Sequence, residues 1–184
     1  MNTRQITWSR NVEWASLARL VALMGAGLLI TNLGMPQWIT GPLVNALLIL
    51  TVLWGGVNQA IFVGMVTPLG AAMSGILPLP LLVMIPFIAL GNALFVSLFG
   101  GLYQKNRWLA LGVGAGVKAA FLYGAVTLLV VRPLSLVIAG QAQAVVVPGA
   151  MVNMMSWPQA LTAVAGGLIA FGVSWAAARL AGNK

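Results

Sequence analysis

The chain has 184 residues, 61% of them hydrophobic and 5% charged, with nine Lys or Arg, one acidic residue and neither His nor Cys. That charged fraction cannot solvate the surface of a water-soluble domain of this length. General acid–base catalysis, thiol chemistry and metal ligation all rely on side chains that are almost absent here.

A mean hydropathy of +1.02 and recurring apolar stretches of about 20 residues, enough to cross roughly 30 Å of hydrocarbon, predict an all-α integral membrane protein. Residues 1–184 are expected to form one compact domain of six transmembrane helices, with no cofactor and no metal. The formal charge of +8 comes from basic residues scattered at helix ends. It reads as the positive-inside bias of a protein whose surroundings are a lipid bilayer, not as a nucleic-acid surface.

The first span runs from about Ala15 to Leu33, with Glu13, the one carboxylate, at its mouth. It is longer than the apolar core of a secretory signal and lacks a small-x-small cleavage site, so it reads as an uncleaved helix. Gly34 and Pro36 end it, and Gln37-Trp38 reads as a loop with an aromatic anchor. The second span, about Pro42 to Trp54, opens with proline in its first turn. Gly55 to Gln59 reads as a turn. The third span is about Ala60 to Leu77, with Pro68 inside it, and Pro78 and Pro80 make the next turn. The fourth is about Leu81 to Leu102, the fifth about Trp108 to Val131, and a longer connection leads to the sixth, about Pro158 to Leu180.

The second span is short, and merging it with the third gives five spans instead. Charge decides between the two. With six spans and a cytoplasmic N-terminus, Arg4, Arg10, Lys105, Arg107, Arg179 and Lys184 share the inner side and Arg132 alone lies outside; five spans misplace one basic group. Both termini are thus expected in the cytoplasm. Trp14, Trp54, Trp108 and Trp175 fall at inner boundaries and Trp38 and Trp157 at outer ones, the level that indole prefers. Trp8 falls just inside.

Three features bear on function. Ala18, Ala22 and Ala26, with Gly25 and Gly27 beside them, make a stripe of small residues that lets another helix approach, within this chain or from a partner. Gly112 with Gly116, and Ala163 with Gly167, read as internal packing. Lys118 lies roughly 15 Å into the fifth span, too deep to snorkel, with no carboxylate in any span to pair with it. It needs water, carbonyls or an incoming anion. Asn45, Thr67, Asn92 and Tyr123 gather toward the outer half, where they line a cavity if they face one another. Gln37, Trp38, Thr40, Gln141, Gln143 and Asn153 stand on the outer side, placed to close over a ligand. The run Gly112-Val-Gly-Ala-Gly-Val-Lys118-Ala119 is no phosphate-binding loop, because Val117 and Ala119 occupy the positions of its Gly and Ser or Thr.

Six short spans, the Ala18-x-x-x-Ala22-x-x-x-Ala26 stripe and an amide-rich outer side resemble the S component of an energy-coupling factor (ECF) transporter. The resemblance covers essentially the whole chain. Gly41-Pro42-Leu43-Val44-Asn45-Ala46 and Pro86-Phe87-Ile88-Ala89-Leu90-Gly91-Asn92 are similar to a subgroup without an assigned substrate. The resemblance implies a multi-pass protein of a prokaryotic cell membrane that captures a vitamin or other micronutrient from outside. It further implies docking, through Ala18, Ala22 and Ala26, onto a transmembrane T component served by two cytoplasmic ATPases. Loops one, three and five of that family cover the ligand, which points to Trp38, Thr40, Gln141 and Gln143. The patterns of thiamin, riboflavin or biotin carriers are not recognisable. On this reading a ligand presents an anionic or carbonyl group to Lys118.

The competing class is a structural or assembly subunit of a larger membrane complex, with Lys118 as a fixed structural charge and no ligand. A lipid-acting enzyme lacks its acid–base groups, and a channel lacks a charge ring or filter repeat.

Overall fold

A computed structural model describes residues 3–75, 79–131, 135–138, 141–144 and 148–182, and the side chains of 14–75, 80–130 and 148–182. Among the described residues six long helices run up and down: α1 Thr3–Asn32, α2 Gln37–Gly55, α3 Val57–Met73, α4 Ile85–Tyr103, α5 Arg107–Val131 and, after a short α6 Gly149–Met154, α7 Trp157–Gly182. A 3-10 helix, Leu79–Met84, leads into α4. The connection after α5 carries a small antiparallel hairpin, β1 Ser135–Ile138 and β2 Gln141–Ala144, in the register Ser135↔Ala144 to Ile138↔Gln141. The protein is an all-α membrane bundle. Among the described residues five helical stretches are long and apolar enough to cross a bilayer, and Val57–Met73 is a shorter apolar helix.

The helices form a ring in the order α1, α3, α4, α5, α7, α2, and α2 also leans inward against α3 and α4. An even number of crossings brings the start of α1, the end of α7 and the α2–α3 and α4–α5 turns to one end of the bundle. At that end Arg179 lies 3.9 Å from the Trp175 ring centroid, and Arg107 lies 5.1 Å from that of Trp108 and 5.6 Å from that of Phe171. Such pairs suit the headgroup level, where a ring is half buried and a cation stays wet.

Several boundaries differ from those expected. Pro36, not Pro42, begins α2: its carbonyl accepts from the N–H groups of Ile39 (2.9 Å) and Thr40 (3.0 Å), so Gln37 and Trp38 are helical. Pro42 sits inside the helix, where it removes one backbone bond without ending it. The second span is therefore of full length and the third is the short one. Gly56 alone, at φ +87°, makes the turn between them, and Asn58 and Gln59 belong to α3. Gln59 Nε2 donates to Ser16 Oγ at 2.7 Å, tying α3 to α1. Beyond Met73, Ser74 and Gly75 turn away, and residues 76–78, with Pro78, lie outside the described residues.

Close approach of helices falls where glycine permits it. A Cβ on Gly64 of α3 would stand 2.9 Å from Asn92 Cβ of α4, and one on Gly166 of α7 2.7 Å from Asn45 Cβ of α2. Ala163 is fully buried, and a Cβ on Gly167 would press into Leu111, so that pair packs internally. Gly112 and Gly116 do not: both are exposed, with nothing within 4 Å of a built Cβ. Their spacing of four puts both on the face of α5 turned away from its neighbours. Phe95, Phe99, Leu48, Ile49, Val63 and Val96 form the fully buried centre, while Leu29, Leu128 and Leu168 are among many exposed apolar side chains that a bilayer would cover.

Candidate functional site

A cavity of about 520 Å³ lies in the half of the bundle away from the chain termini. Its rim is Gly34 to Gln37 after α1 and Ser74-Gly75 after α3, and its walls descend to Lys118 near the middle of α5. Six of the residues singled out in the sequence line it: Gln37, half-buried at the rim, and five deeper ones, Thr40 and Asn45 of α2, Thr67 of α3, Asn92 of α4 and Lys118 of α5. These five are buried, at 7, 2, 3, 2 and 3% exposure.

Their geometry follows from the two prolines and from the need to satisfy polar atoms in an apolar wall. Pro68 has no N–H to offer the Gly64 carbonyl one turn back. That carbonyl instead accepts from Asn92 Nδ2 at 2.9 Å and from Thr67 Oγ1 at 3.3 Å. Asn92 Nδ2 also reaches Thr67 Oγ1 at 3.3 Å. A carbonyl only accepts, so the amide nitrogen of Asn92 must face Gly64, and Oδ1 is left over. Asn45 is oriented the same way. Its Nδ2 donates to the Gly41 carbonyl at 2.9 Å and, more distantly, to Thr162 Oγ1 at 3.5 Å, which turns Oδ1 toward α5.

Lys118 Nζ donates to that Oδ1 at 2.7 Å and stands 5.5 Å from the centre of the Phe95 ring. Among the described residues no carboxylate approaches. Glu13 is the only acidic residue in the chain, and α1 rises about 27 Å between it and Thr31 at the cavity wall. A neutral amide oxygen and an aromatic face thus hold a buried ammonium whose other N–H donors have no described partner.

Other expected site residues lie elsewhere. Trp38 is 58% exposed and packs beside Trp157, ring centres 6.1 Å apart, outside the cavity lining. Tyr123 does not join Lys118. Five residues further on it points about 140° round the helix, and with exposed Asn153 it borders a separate surface hollow near Trp157. Gln141 and Gln143 lie on β2, and their side chains are outside the described residues. On α1, Ala18 and Ala22 are exposed, and Ala26 is partly buried against the core. The inner face of that helix is made instead by residues such as Gly27, where a Cβ would meet Thr67 Cγ2 at 2.9 Å.

No family model, curated protein or solved structure matches the chain.

Sequence reasoning did not single out Thr31, Ser74 or Gln159, which also line the cavity. Thr31 and Ser74 are occupied locally: Thr31 Oγ1 donates to the Gly27 carbonyl at 3.1 Å, and Ser74 Oγ donates to the Thr31 carbonyl at 2.8 Å. Gln159 Nε2 donates to the Met154 carbonyl at 3.0 Å, joining the start of α7 to the end of α6. Polar residues are ordinary at span ends, so nothing in the sequence marked these three. Among the described residues no cluster of His, Cys, Asp or Glu can hold a metal ion.

Proposed function

We propose that this chain is the substrate-capturing membrane subunit of an ATP-driven uptake transporter of the energy-coupling factor type. The observation that carries the reading is the cavity of about 520 Å³, inside the usual range for small-molecule sites of roughly 300–1,000 Å³, with a buried cation at its floor. On this reading the cavity end faces outward and the basic, tryptophan-flanked end faces the cytoplasm of a prokaryotic cell. ATP hydrolysis belongs to two partner ATPases, coupled through a T component. The exposed Ala18 and Ala22 with Gly25, whose built Cβ meets nothing within 4 Å, suit a flat docking face for that component.

A second reading, a structural subunit with no ligand, draws on the Lys118–Asn45 bond, which gives the ammonium an internal partner. Gentle purification of the tagged chain from its own cells, followed by native mass spectrometry, separates the two. The transporter reading expects a T component and ATPases in the eluate, lost on Ala22→Leu substitution while the chain stays folded. A stable complex with unrelated membrane subunits, unaffected by Ala22→Leu, would establish the structural reading instead.

A further inference from the structure

We infer that the molecule held in this cavity is an organic monoanion, a small carboxylate on an otherwise uncharged and largely apolar body; the inference rests on the capturing role above. Charge sets the first limit. The described cavity wall carries one cation, Lys118, and no anion, so an amine or a metal ion would enter low-dielectric surroundings with no counter-charge. A dianionic phosphate ester would leave one charge uncompensated. A single carboxylate matches the one ammonium.

Donor accounting sets the second. The hydroxyls of Thr31, Thr40 and Thr67 each donate to a backbone carbonyl. Asn45 and Asn92 spend their amide nitrogens on the Gly41 and Gly64 carbonyls, with second contacts to Thr162 and Thr67. Along the deep wall, spare donors therefore concentrate at Lys118, which has three N–H bonds and one described partner. Two N–H groups suit the two oxygens of a carboxylate, as strong charge-assisted bonds. They leave most acceptor sites of a phosphate unmet. The Asn45 bond at 2.7 Å aims Nζ in advance, and Val44, Leu81 and Ile88 offer an apolar lining for the rest of the molecule. Asn92 Oδ1, which accepts no described hydrogen bond, is placed to take a neutral N–H or O–H of that body.

The test is to extract small molecules from wild-type protein and from Lys118→Met, purified identically, and to assign their charge by mass spectrometry. The expected result is a near-stoichiometric singly charged acid whose occupancy falls at least about tenfold in Lys118→Met, as loss of its charged hydrogen bonds implies. A neutral, cationic or phosphorylated molecule, or an acid retained undiminished by the variant, overturns the inference and leaves the capturing role intact. Thermal unfolding of the wild type with benzoate, benzamide, benzylammonium and phenyl phosphate varies only the head group and does not depend on the variant folding. Saturable stabilisation by benzoate alone supports the inference, and equal or better stabilisation by another member overturns it. No extracted molecule and no response to any of the four overturns both the inference and the capturing role.

Discussion

Lys118 and Asn45 are the residues on which the polar architecture turns. Lys118, 3% exposed in an apolar bundle, is held by an amide oxygen and the Phe95 ring, and Asn45 can present that oxygen because the Gly41 carbonyl holds its nitrogen. Asn45→Leu is expected to lower stability by about 1–3 kcal/mol or more, because it strands a charged donor. Adding Lys118→Met should recover part of that loss. Thermal unfolding of the two single variants and the double variant in detergent would show a coupling of about 0.5–3 kcal/mol, whereas strictly additive losses would mean that the bond is not made. That Lys118 and Asn45 each need a partner was legible in the sequence, because a lysine or amide amid apolar residues has few ways to be satisfied; that they partner each other was not. Tyr123 was misread for a physical reason. Nearness along a helix is not nearness around it, and only the placement of neighbouring helices says which direction faces inward.

At the scale of the elements, proline and glycine set the shape more than hydrophobicity does. Pro68 leaves the Gly64 carbonyl free, and Gly64 lets α4 come close enough for Asn92 to take it up. A larger residue at this position should wedge the two helices apart. Gly64→Val is expected to cost about 1–3 kcal/mol, whereas Gly25→Ala, facing open space, should stay within about 0.5 kcal/mol. Unfolding midpoints measured in one detergent provide the comparison, and equal effects at the two sites would contradict the α3–α4 contact. Hydropathy located the helices well but placed their ends less well. Gln37 and Trp38 looked like loop because they are amphipathic and flanked by prolines, yet Pro36 is a sound position from which to start a helix. In the same way Asn58 and Gln59 looked like turn, although one glycine at positive φ is sufficient to reverse the chain.

The whole molecule is a ring of six helices with a cavity in one half and its cationic, tryptophan-flanked surface at the opposite end. Its two ends should therefore lie on opposite sides of the membrane. The chain has no cysteine, so single substitutions report without background. A membrane-impermeant maleimide should label Asn153→Cys in intact cells and Gln104→Cys only after permeabilisation. Labelling of both from the same side would break the alternating topology, and the reverse pattern would turn the cavity toward the cytoplasm.

Composition alone determined that this is a membrane-embedded, helical protein with one acidic residue and neither His nor Cys, because hydrophobicity and side-chain chemistry are properties of residues one at a time. The number of helices and their alternation followed from span length and the distribution of basic residues. Which polar groups meet was decided only by the tertiary structure. Thr40, Asn45, Thr67, Asn92 and Lys118 come from four helices distant in sequence, and a shared wall depends on how each helix is rotated, where glycine admits its neighbour and which carbonyl a proline sets free. The outward face of Ala18 and Ala22 was decided there too, since a small-residue stripe reads the same in sequence whether or not its own chain covers it.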